Sequence, residues 1–178
     1  DGFDPETQVT AHGGNNDSNH AGAVGTIYLR QGDRPASLRL DSHGTRTGMW
    51  TPLGAAGDSE LRIGHLVLAG AGVVAAPEHE MALWTDTVNV LRGAMLTHQE
   101  TTVTAEHALR LWVAGTLTVD GESSIDVTGR GYPPGYTLGN TTLDAASGYS
   151  GGSYGGRGGD SRGAANPISG DATLPNAM

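Results

Sequence analysis

The sequence predicts an all-β chain that folds as a right-handed, single-stranded parallel β-helix, a solenoid with coils of about 22 residues. A constant shift of about 22 residues carries the apolar segments 61–63 and 66–68 onto 83–85 and 88–90, which is typical of stacked coils. The segments are short, alternate between apolar and polar residues, and are separated by glycines. The chain has 29 Gly and one Phe, which indicates frequent turns and an aliphatic rather than aromatic core.

The composition argues against several classes of protein. At 178 residues, the chain has the length of one domain that can bury a core. A net charge of −9 argues against nucleic acid as a partner, and the absence of Cys excludes disulfides and thiolate metal sites. No apolar run approaches the ~20 residues that a membrane-spanning helix requires. Because the chain opens at Asp1 with neither an initiator Met nor a signal peptide, we expect a processed mature protein or a piece of a larger one.

The first part of the chain contains a polar entry segment and two strands. Residues 1–22 are rich in turn-forming side chains. Residues 23–30 carry β-branched side chains in alternation and predict a strand. Residues 37–41 alternate between apolar and polar side chains and predict a short strand with one buried face.

A Leu-Arg-Leu pattern extends the repeat to both sides. The segment 38–40 is expected to recur as 61–63 and as 109–111, with 83–85 filling the coil between them. The residues that would then stack on one outer face are Arg39, Arg62, Trp84 and Arg110. Because like charges stacked directly repel each other, we expect acidic neighbours or an offset.

The later coils are also predicted to be strands. Residues 78–96 contain good helix formers, but Thr85, Thr87 and their β-branched neighbours in alternation favour a strand. The same constant shift also places 73–74 over 95–96. In the last coil, strands are predicted over residues 109–113, 116–119 and 124–128, and a drift in register there indicates a bulge or a longer corner.

After Gly129 the character of the chain changes. Residues 130–178 are rich in Gly, Ser, Tyr and Arg, and they are too poor in apolar side chains for another ordinary coil. The chain is therefore predicted to be a single β-helix domain (1–178) with an entry segment (1–22), coils (23–129) and long Gly-rich lateral loops with a tail (130–178).

Three stretches carry a resemblance to a known class of protein. Residues 23–29, 117–132 and 151–159 resemble Gly-rich parallel β-helix segments of large secreted or surface proteins of bacteria, including adhesin-like ones. The resemblance implies a bacterial extracellular or cell-surface location and a structural or adhesive role. It implies no catalytic residues, since such segments have none to transfer.

The loops 130–163 contain the candidate ligand-binding residues. Tyr and Arg provide contact area and hydrogen bonds at low entropic cost, and Tyr rings stack on sugar rings. The candidates are Arg130, Tyr132, Tyr136, Tyr149, Tyr154 and Arg157. The alternative is that these tyrosines fold inward and cover the flank of the solenoid.

Calcium is the one metal that the sequence brings into consideration. Asn15, Asp17 and Asn19 offer oxygen ligands at alternate positions, but the distal Glu and the Gly of a calcium loop are missing. Asn and Asp in such clusters also serve as ordinary turn residues. We therefore expect no cofactor, with calcium as the exception to test.

The function predicted from these patterns is non-enzymatic. We expect a structural or adhesive solenoid segment whose partners are flanking repeats of a larger protein, a second copy, or a glycan or protein at loops 130–163. The first alternative is a β-helix polysaccharide lyase or hydrolase, with Asp120 and Asp126 beside the Gly121 corner as the carboxylate pair. The second alternative is a β-sandwich carbohydrate-binding module, if the repeat is accidental.

Overall fold

The computed structural model describes residues 2–4, 8–14, 21–45, 47–153 and 157–168, which form two compact units. The first unit contains the described residues up to Gln99 together with Ala108–Val127, and the second contains Glu100–His107 together with the described residues from Thr128 onward. All nine strands found in the described residues lie in the first unit: β1 Ile27–Leu29, β2 Ser37–Asp41, β3 Trp50–Leu53, β4 Glu60–Ala69, β5 Val74–Pro77, β6 Ala82–Leu91, β7 Met95–Leu96, β8 Arg110–Val119 and β9 Ser124–Ile125.

The first unit is a parallel β-solenoid of about three turns, as predicted. One sheet has the strand order β1-β2-β4-β6-β8 and the other β3-β5-β7-β9. Successive coils contribute one strand to each sheet, and every pairing is parallel except that of β1 with β2. The β-sandwich alternative is therefore wrong. In the part of the chain that the structure describes, no helix is long and apolar enough to cross a membrane.

The predicted register is confirmed between β4 and β6. Leu66 lies beside Val88 and Leu68 beside Val90, and all four side chains are buried. In the second sheet, the predicted pairing of Val73 with Met95 is wrong by one position, because Val74 pairs with Met95. The corner after β6 is one position shorter than the corner after β4.

The expected row of Leu-Arg-Leu segments is only partly correct. Leu38 pairs with Leu66, a longer step along the chain than the one from Leu66 to Val88, so Arg39 is not in line with Arg62. Strand β4 contains two Leu-rich segments, 61–63 and 66–68, and either could have paired with β2. The more deeply buried one, 66–68, does so.

In the last coil, Trp112 and not Arg110 lies beside Trp84. The arginines are therefore offset from one another, and each also has an acidic neighbour. The pairs are Arg39 with Asp41, Arg62 with Glu60, and Arg110 with Glu80.

The pattern of buried side chains changes phase halfway along the long strands, at a point that we call the bend. In β6, Leu83 and Thr85 are buried before the middle and Val88 and Val90 after it, so the alternation of buried residues changes phase. The Thr85 hydroxyl donates to the Gly64 carbonyl oxygen at 3.1 Å and ties the bend of β6 to that of β4.

For the last coil, where a bulge or a longer corner was predicted, the structure shows a bulge halfway along β8. Thr85 pairs with Val113 but Thr87 pairs with Thr116, which inserts one extra residue into β8. A Cβ atom at Gly115 would lie 2.9 Å from the carbonyl oxygen of Asp86, so the bulge requires glycine there. The predicted strands 109–113 and 116–119 consequently form one bulged strand.

Several other elements differ in extent from the predictions. The strand predicted over 23–30 is limited to Ile27–Leu29, and it runs antiparallel to β2. The segment 78–96 contains β6 rather than a helix, as predicted. The strand predicted over 124–128 is limited to Ser124–Ile125.

The second unit has little regular structure besides a 3-10 helix at Leu138–Asn140. Two backbone runs pair instead: the amides of Ser147, Tyr149 and Gly151 donate to the carbonyl oxygens of Ala164, Ser161 and Gly159 at 2.9–3.0 Å. Cβ atoms at Gly148, Gly158 and Gly163 would overlap backbone atoms of the opposite run. The Gly-rich composition therefore allows two backbones to approach each other closely.

The buried row at Val90 provides a test of the fold. Val90 is unexposed, whereas its neighbour in the next coil, Val119, is 39% exposed at the same register position. We expect Val90→Asp to destabilise the chain by more than about 4 kcal/mol, because it buries an unpaired charge, and Val119→Asp to leave it folded. Urea unfolding followed by circular dichroism measures both. Equal unfolding midpoints for the two variants would contradict the inward assignment of Val90.

Candidate ligand-binding sites

A pocket of about 440 Å³ in the second unit brings together three of the predicted ligand-binding residues. Its lining includes Tyr132, Tyr136 and Tyr149, the turn at 133–135, the paired run 148–153 and Asn166. Arg130 and Arg157 do not line this pocket, and Tyr154 lies outside the described residues.

Local hydrogen bonds position each of the three tyrosines. The Tyr136 amide donates to the Pro133 carbonyl oxygen at 3.0 Å and closes the Pro-Pro-Gly turn. The Tyr132 hydroxyl donates to a carboxylate oxygen of Glu106 at 2.6 Å. Tyr149 sits on the paired backbone runs with 77% of its surface exposed, and the Arg162 guanidinium lies 5.8 Å from its ring centre. The most accessible aromatic side chain of the pocket is therefore Tyr149.

The side-chain amide of Asn166 adds polar groups to the lining of the pocket, and two hydrogen bonds hold it in place. Asn166 is buried; its side-chain oxygen accepts from the Ser153 amide at 2.6 Å, and its side-chain nitrogen donates to the Ser153 carbonyl oxygen. The two predicted arginines have other contacts: Arg157 pairs with Asp160 at 3.1 Å, and the Arg130 carbonyl oxygen accepts from the Thr101 amide. A phenol ring beside backbone amides and a fixed Asn can hold a polyhydroxylated ligand by stacking and hydrogen bonds.

The residues proposed for hydrolysis have structural contacts. The Asp120 carboxylate accepts from the backbone amides of Arg92 at 2.6 Å and Glu122 at 3.1 Å. These hydrogen bonds, that of Arg92 first, hold the pKa of Asp120 below its ordinary value, so the carboxylate is unsuited to act as a general acid. The Asp126 backbone joins the coils, since its amide donates to the Leu96 carbonyl oxygen and its carbonyl oxygen accepts from the Thr97 hydroxyl.

The predicted calcium ligands Asn15, Asp17 and Asn19 lie outside the described residues. Among the residues whose placement is described, no group of three or more acidic or His side chains is arranged to hold a metal ion.

A buried carboxylate links the corners of three coils. Asp41, on β2, accepts from the guanidinium groups of Arg39 at 2.7 Å and Arg92 at 2.6 Å and from the His43 amide at 2.8 Å. Arg92 has a left-handed backbone, with φ 57°, and its own amide donates to Asp120. A column of contacts Asp41–Arg92–Asp120 therefore crosses the stacked coils.

A second aromatic surface was missed by the sequence reasoning. Arg62, Trp84 and Trp112 occupy one register position on β4, β6 and β8. They lie along a groove of about 680 Å³. Trp84 was expected on the outer face, but Trp112 was not, because the step from Trp84 to Trp112 is longer than the predicted repeat. The signal that could have identified it is a second Trp just before the predicted bulge.

The last coil exposes apolar side chains that are buried in the coil before it. Leu117 is 45% exposed although its neighbour Val88 is unexposed, and Ile125 is 37% exposed although its neighbour Leu96 is unexposed. We call residues 116–119 of β8 together with Ile125 and Val127 the open edge.

No family model matches the sequence, and the chain shows no significant similarity to a curated protein or to a solved structure.

The Asp41 contacts predict how stability depends on pH. Burial alone would raise the pKa of Asp41, but the His43 amide, Arg39 and Arg92 together hold it below the ordinary value of 3.8. Because the folded-state pKa is the lower one, the stabilisation is complete above about pH 4 and is lost as the pH falls through the folded-state pKa.

We therefore expect Asp41→Asn to cost roughly 2–4 kcal/mol at neutral pH, since it removes the buried charge that accepts from Arg39, Arg92 and the His43 amide. Urea unfolding at a series of pH values should show this difference shrinking below about pH 4. The exposed Asp33→Asn is the matched control and should change stability by less than about 0.5 kcal/mol. A difference between Asp41→Asn and the parent that stays constant down to about pH 2 would contradict the assignment.

Proposed function

We propose that the chain is a non-enzymatic, structural segment of a bacterial extracellular or surface protein, and that it associates through its open edge. The observation that carries the proposal is the exposure of Leu117, Val119, Ile125 and Val127, at 37–45%. Side chains that face a solenoid core are normally covered by the next coil. The setting rests on the resemblance of the Gly-rich stretches to segments of bacterial surface proteins.

The two ends of the solenoid differ, which favours a second copy as the occupant of the open edge. At the first coil, Leu38, Leu40 and Leu53 are at most 8% exposed. Residues 21–29 cover this end: β1 pairs with β2, and the Val24 carbonyl oxygen accepts from the Thr51 hydroxyl at 2.6 Å. Since the apolar row at this end is covered, the apolar surface that a second copy offers is its own open edge, and the two edges would meet about a two-fold axis.

Two contributions would stabilise such a pair. Fully burying a side chain of this size contributes about 1.5–3 kcal/mol, so covering four that are already more than half buried contributes on the order of 3–4 kcal/mol. In the described part of the first sheet, β8 is the last strand and pairs only with β6, so backbone groups along its other side are available for a second ladder. Antiparallel pairing of two β8 strands supplies that ladder.

Introducing a charged residue at the open edge and measuring the oligomeric state tests this association. We expect the parent chain to form a dimer in sedimentation equilibrium at concentrations up to about 100 μM, a range that detects roughly 5.5 kcal/mol of binding free energy. Val119→Asp should be a folded monomer, because it places a charge in the contact. Met49→Asp places the same charge on an exposed apolar side chain of the first coil, outside the open edge, and should remain dimeric. A parent that is monomeric at every concentration would overturn the proposal.

Cross-linking identifies the two-fold arrangement. The natural chain has no Cys, so a disulfide formed by a single introduced Cys joins two copies. Single Cys substitutions along residues 116–119 should cross-link efficiently at the position nearest the axis. A dimer in which none of these positions cross-links would contradict the two-fold arrangement.

A second candidate function is adhesion to glycan through the tyrosine pocket. It is favoured by the convergence of Tyr132, Tyr136 and Tyr149 on one pocket with an exposed ring at its rim. On an array of immobilised oligosaccharides, we expect Tyr149→Ala to weaken binding about tenfold, since it removes a stacking surface. Leu143→Ala, which is similarly exposed in the same unit but does not line the pocket, is the control. Equal binding by the parent and Tyr149→Ala would exclude this pocket as the site.

The enzyme alternative predicts a different outcome. A lyase or hydrolase should consume an acidic polysaccharide and lose that activity in Asp120→Asn. We expect no turnover by the parent chain, measured as release of unsaturated or reducing sugar ends. Turnover that depends on Asp120 would overturn the structural proposal.

A further inference from the structure

The groove of about 680 Å³ crosses β4, β6 and β8 at their bend, in the first unit. Its floor includes the outer-face residues of the strands, and one side is formed by residues from Tyr28 to Ala36. This volume lies within the range of about 300–1,000 Å³ that small-molecule sites occupy. The groove contains none of the residues that the sequence had singled out for ligand binding.

An aromatic stack runs along the groove. The rings of Trp84 and Trp112 lie 4.6 Å apart at an angle of 15°, and the guanidinium of Arg62, on β4, lies 4.8 Å from the centre of the Trp84 ring. Trp84 is therefore contacted by both neighbouring coils. Trp112 is 37% exposed on the last strand of the sheet, so in the described residues no further strand lies beside it. The stack thus ends on an accessible indole ring.

The stack also contains a polar atom without a partner. The indole nitrogen of Trp84 is shielded from solvent and has no hydrogen-bond partner among the described residues. A buried donor of this kind is costly, and native structures rarely keep one without a reason. A stack of aliphatic side chains would fill the same position without that cost, so the aromatic residues indicate recognition rather than packing alone.

Side chains of both signs surround the stack. Arg30, Arg34, Asp33 and Asp86 line the groove. The charge of Arg62 is already neutralised, because its guanidinium donates two hydrogen bonds to Glu60. In the described part of the chain, neither Arg30 nor Arg34 forms a salt bridge. The groove therefore offers planar donors and acceptors with no net charge.

We propose that this groove binds a neutral saccharide chain, with a sugar ring stacked on Trp112 and hydroxyl groups held by Arg30, Arg34, Asp33 and Asp86. Sugar rings present apolar C–H faces to indole rings, and their hydroxyl groups both donate and accept, which matches a groove that contains both Arg donors and Asp acceptors. An acidic polysaccharide fits less well, because the groove has no net positive charge and the net charge of −9 on the chain repels it.

The groove is separate from the open edge. Trp112 precedes the bulge at Gly115, whereas the exposed apolar residues of β8 follow it. Leu111 and Val113, on the groove side of the bulge, pack against the core. Ligand binding in the groove and association through the open edge are therefore independent, and substitutions can test them one at a time.

Affinity electrophoresis in gels containing soluble polysaccharides tests the proposal. The probes are barley β-glucan, xylan and galactomannan as neutral chains and alginate and polygalacturonate as acidic ones. We expect at least one neutral chain to retard the parent, and Trp112→Ala to weaken that interaction about tenfold. Trp50→Ala is the matched control, since Trp50 is also 37% exposed but lies on β3 in the other sheet. It should bind like the parent.

A second variant covers the case in which Trp112→Ala unfolds the last coil. Arg34→Gln changes an exposed side chain outside every strand, so the fold should be retained, and we expect binding to weaken about fivefold. Neither Trp112→Ala nor Arg34→Gln should alter the oligomeric state, and Tyr149→Ala should leave unchanged the retardation by the particular neutral chain that Trp112→Ala no longer binds. These readouts separate the groove from both proposed functions.

Three outcomes would overturn the proposal. The first is that no neutral polysaccharide retards the parent. The second is that retardation survives in both Trp112→Ala and Arg34→Gln. The third is that only the acidic chains retard the parent, which would show an anionic ligand instead.

Discussion

The parallel register between β4 and β6 is the interaction on which the rest of the solenoid depends. Leu66 and Leu68 lie beside Val88 and Val90, and these aliphatic rows are nearly inaccessible to solvent. A shift by a single position would turn the whole row to the outside, so burial specifies the register strongly. The corners take up differences in coil length without disturbing it, since Leu38 stacks on Leu66 across a longer coil than the one that joins Leu66 to Val88.

The same stacking determines which apolar side chains remain exposed. Parallel coils cover each other's apolar rows, and the last coil necessarily has no successor within the described residues. The first coil has no parallel coil before it within the described residues. Its apolar side chains Leu38 and Leu53 are covered instead by the antiparallel strand β1 and residues 21–24. At the last coil, Leu117 and Val119 are left accessible. The difference between the two ends supports association, and it follows from the architecture rather than from any single motif.

Glycine has distinct roles in the two units. In the solenoid, Gly115 permits the bulge against Asp86, and this bulge divides β8 into a half beside the groove and a half at the open edge. In the second unit, glycines such as Gly148 and Gly158 allow two backbone runs to pair closely. That pairing builds one wall of the tyrosine pocket. The abundance of glycine, which first suggested frequent turns, thus also reflects close contacts between backbones.

The sequence by itself determined the class of fold, the register of β4 on β6, the strand rather than helix at Ala82–Leu91, and a drift in register in the last coil. These features depend on the local alternation of buried and exposed side chains, which a sequence displays directly. The tertiary structure decided which of two Leu-rich segments pairs with β2, that Trp112 stacks on Trp84, and that Asp120 caps a turn. Those contacts join coils of different length. The length of a coil depends on its corners, whose conformation is determined by the packing of the buried core and not by the local sequence pattern.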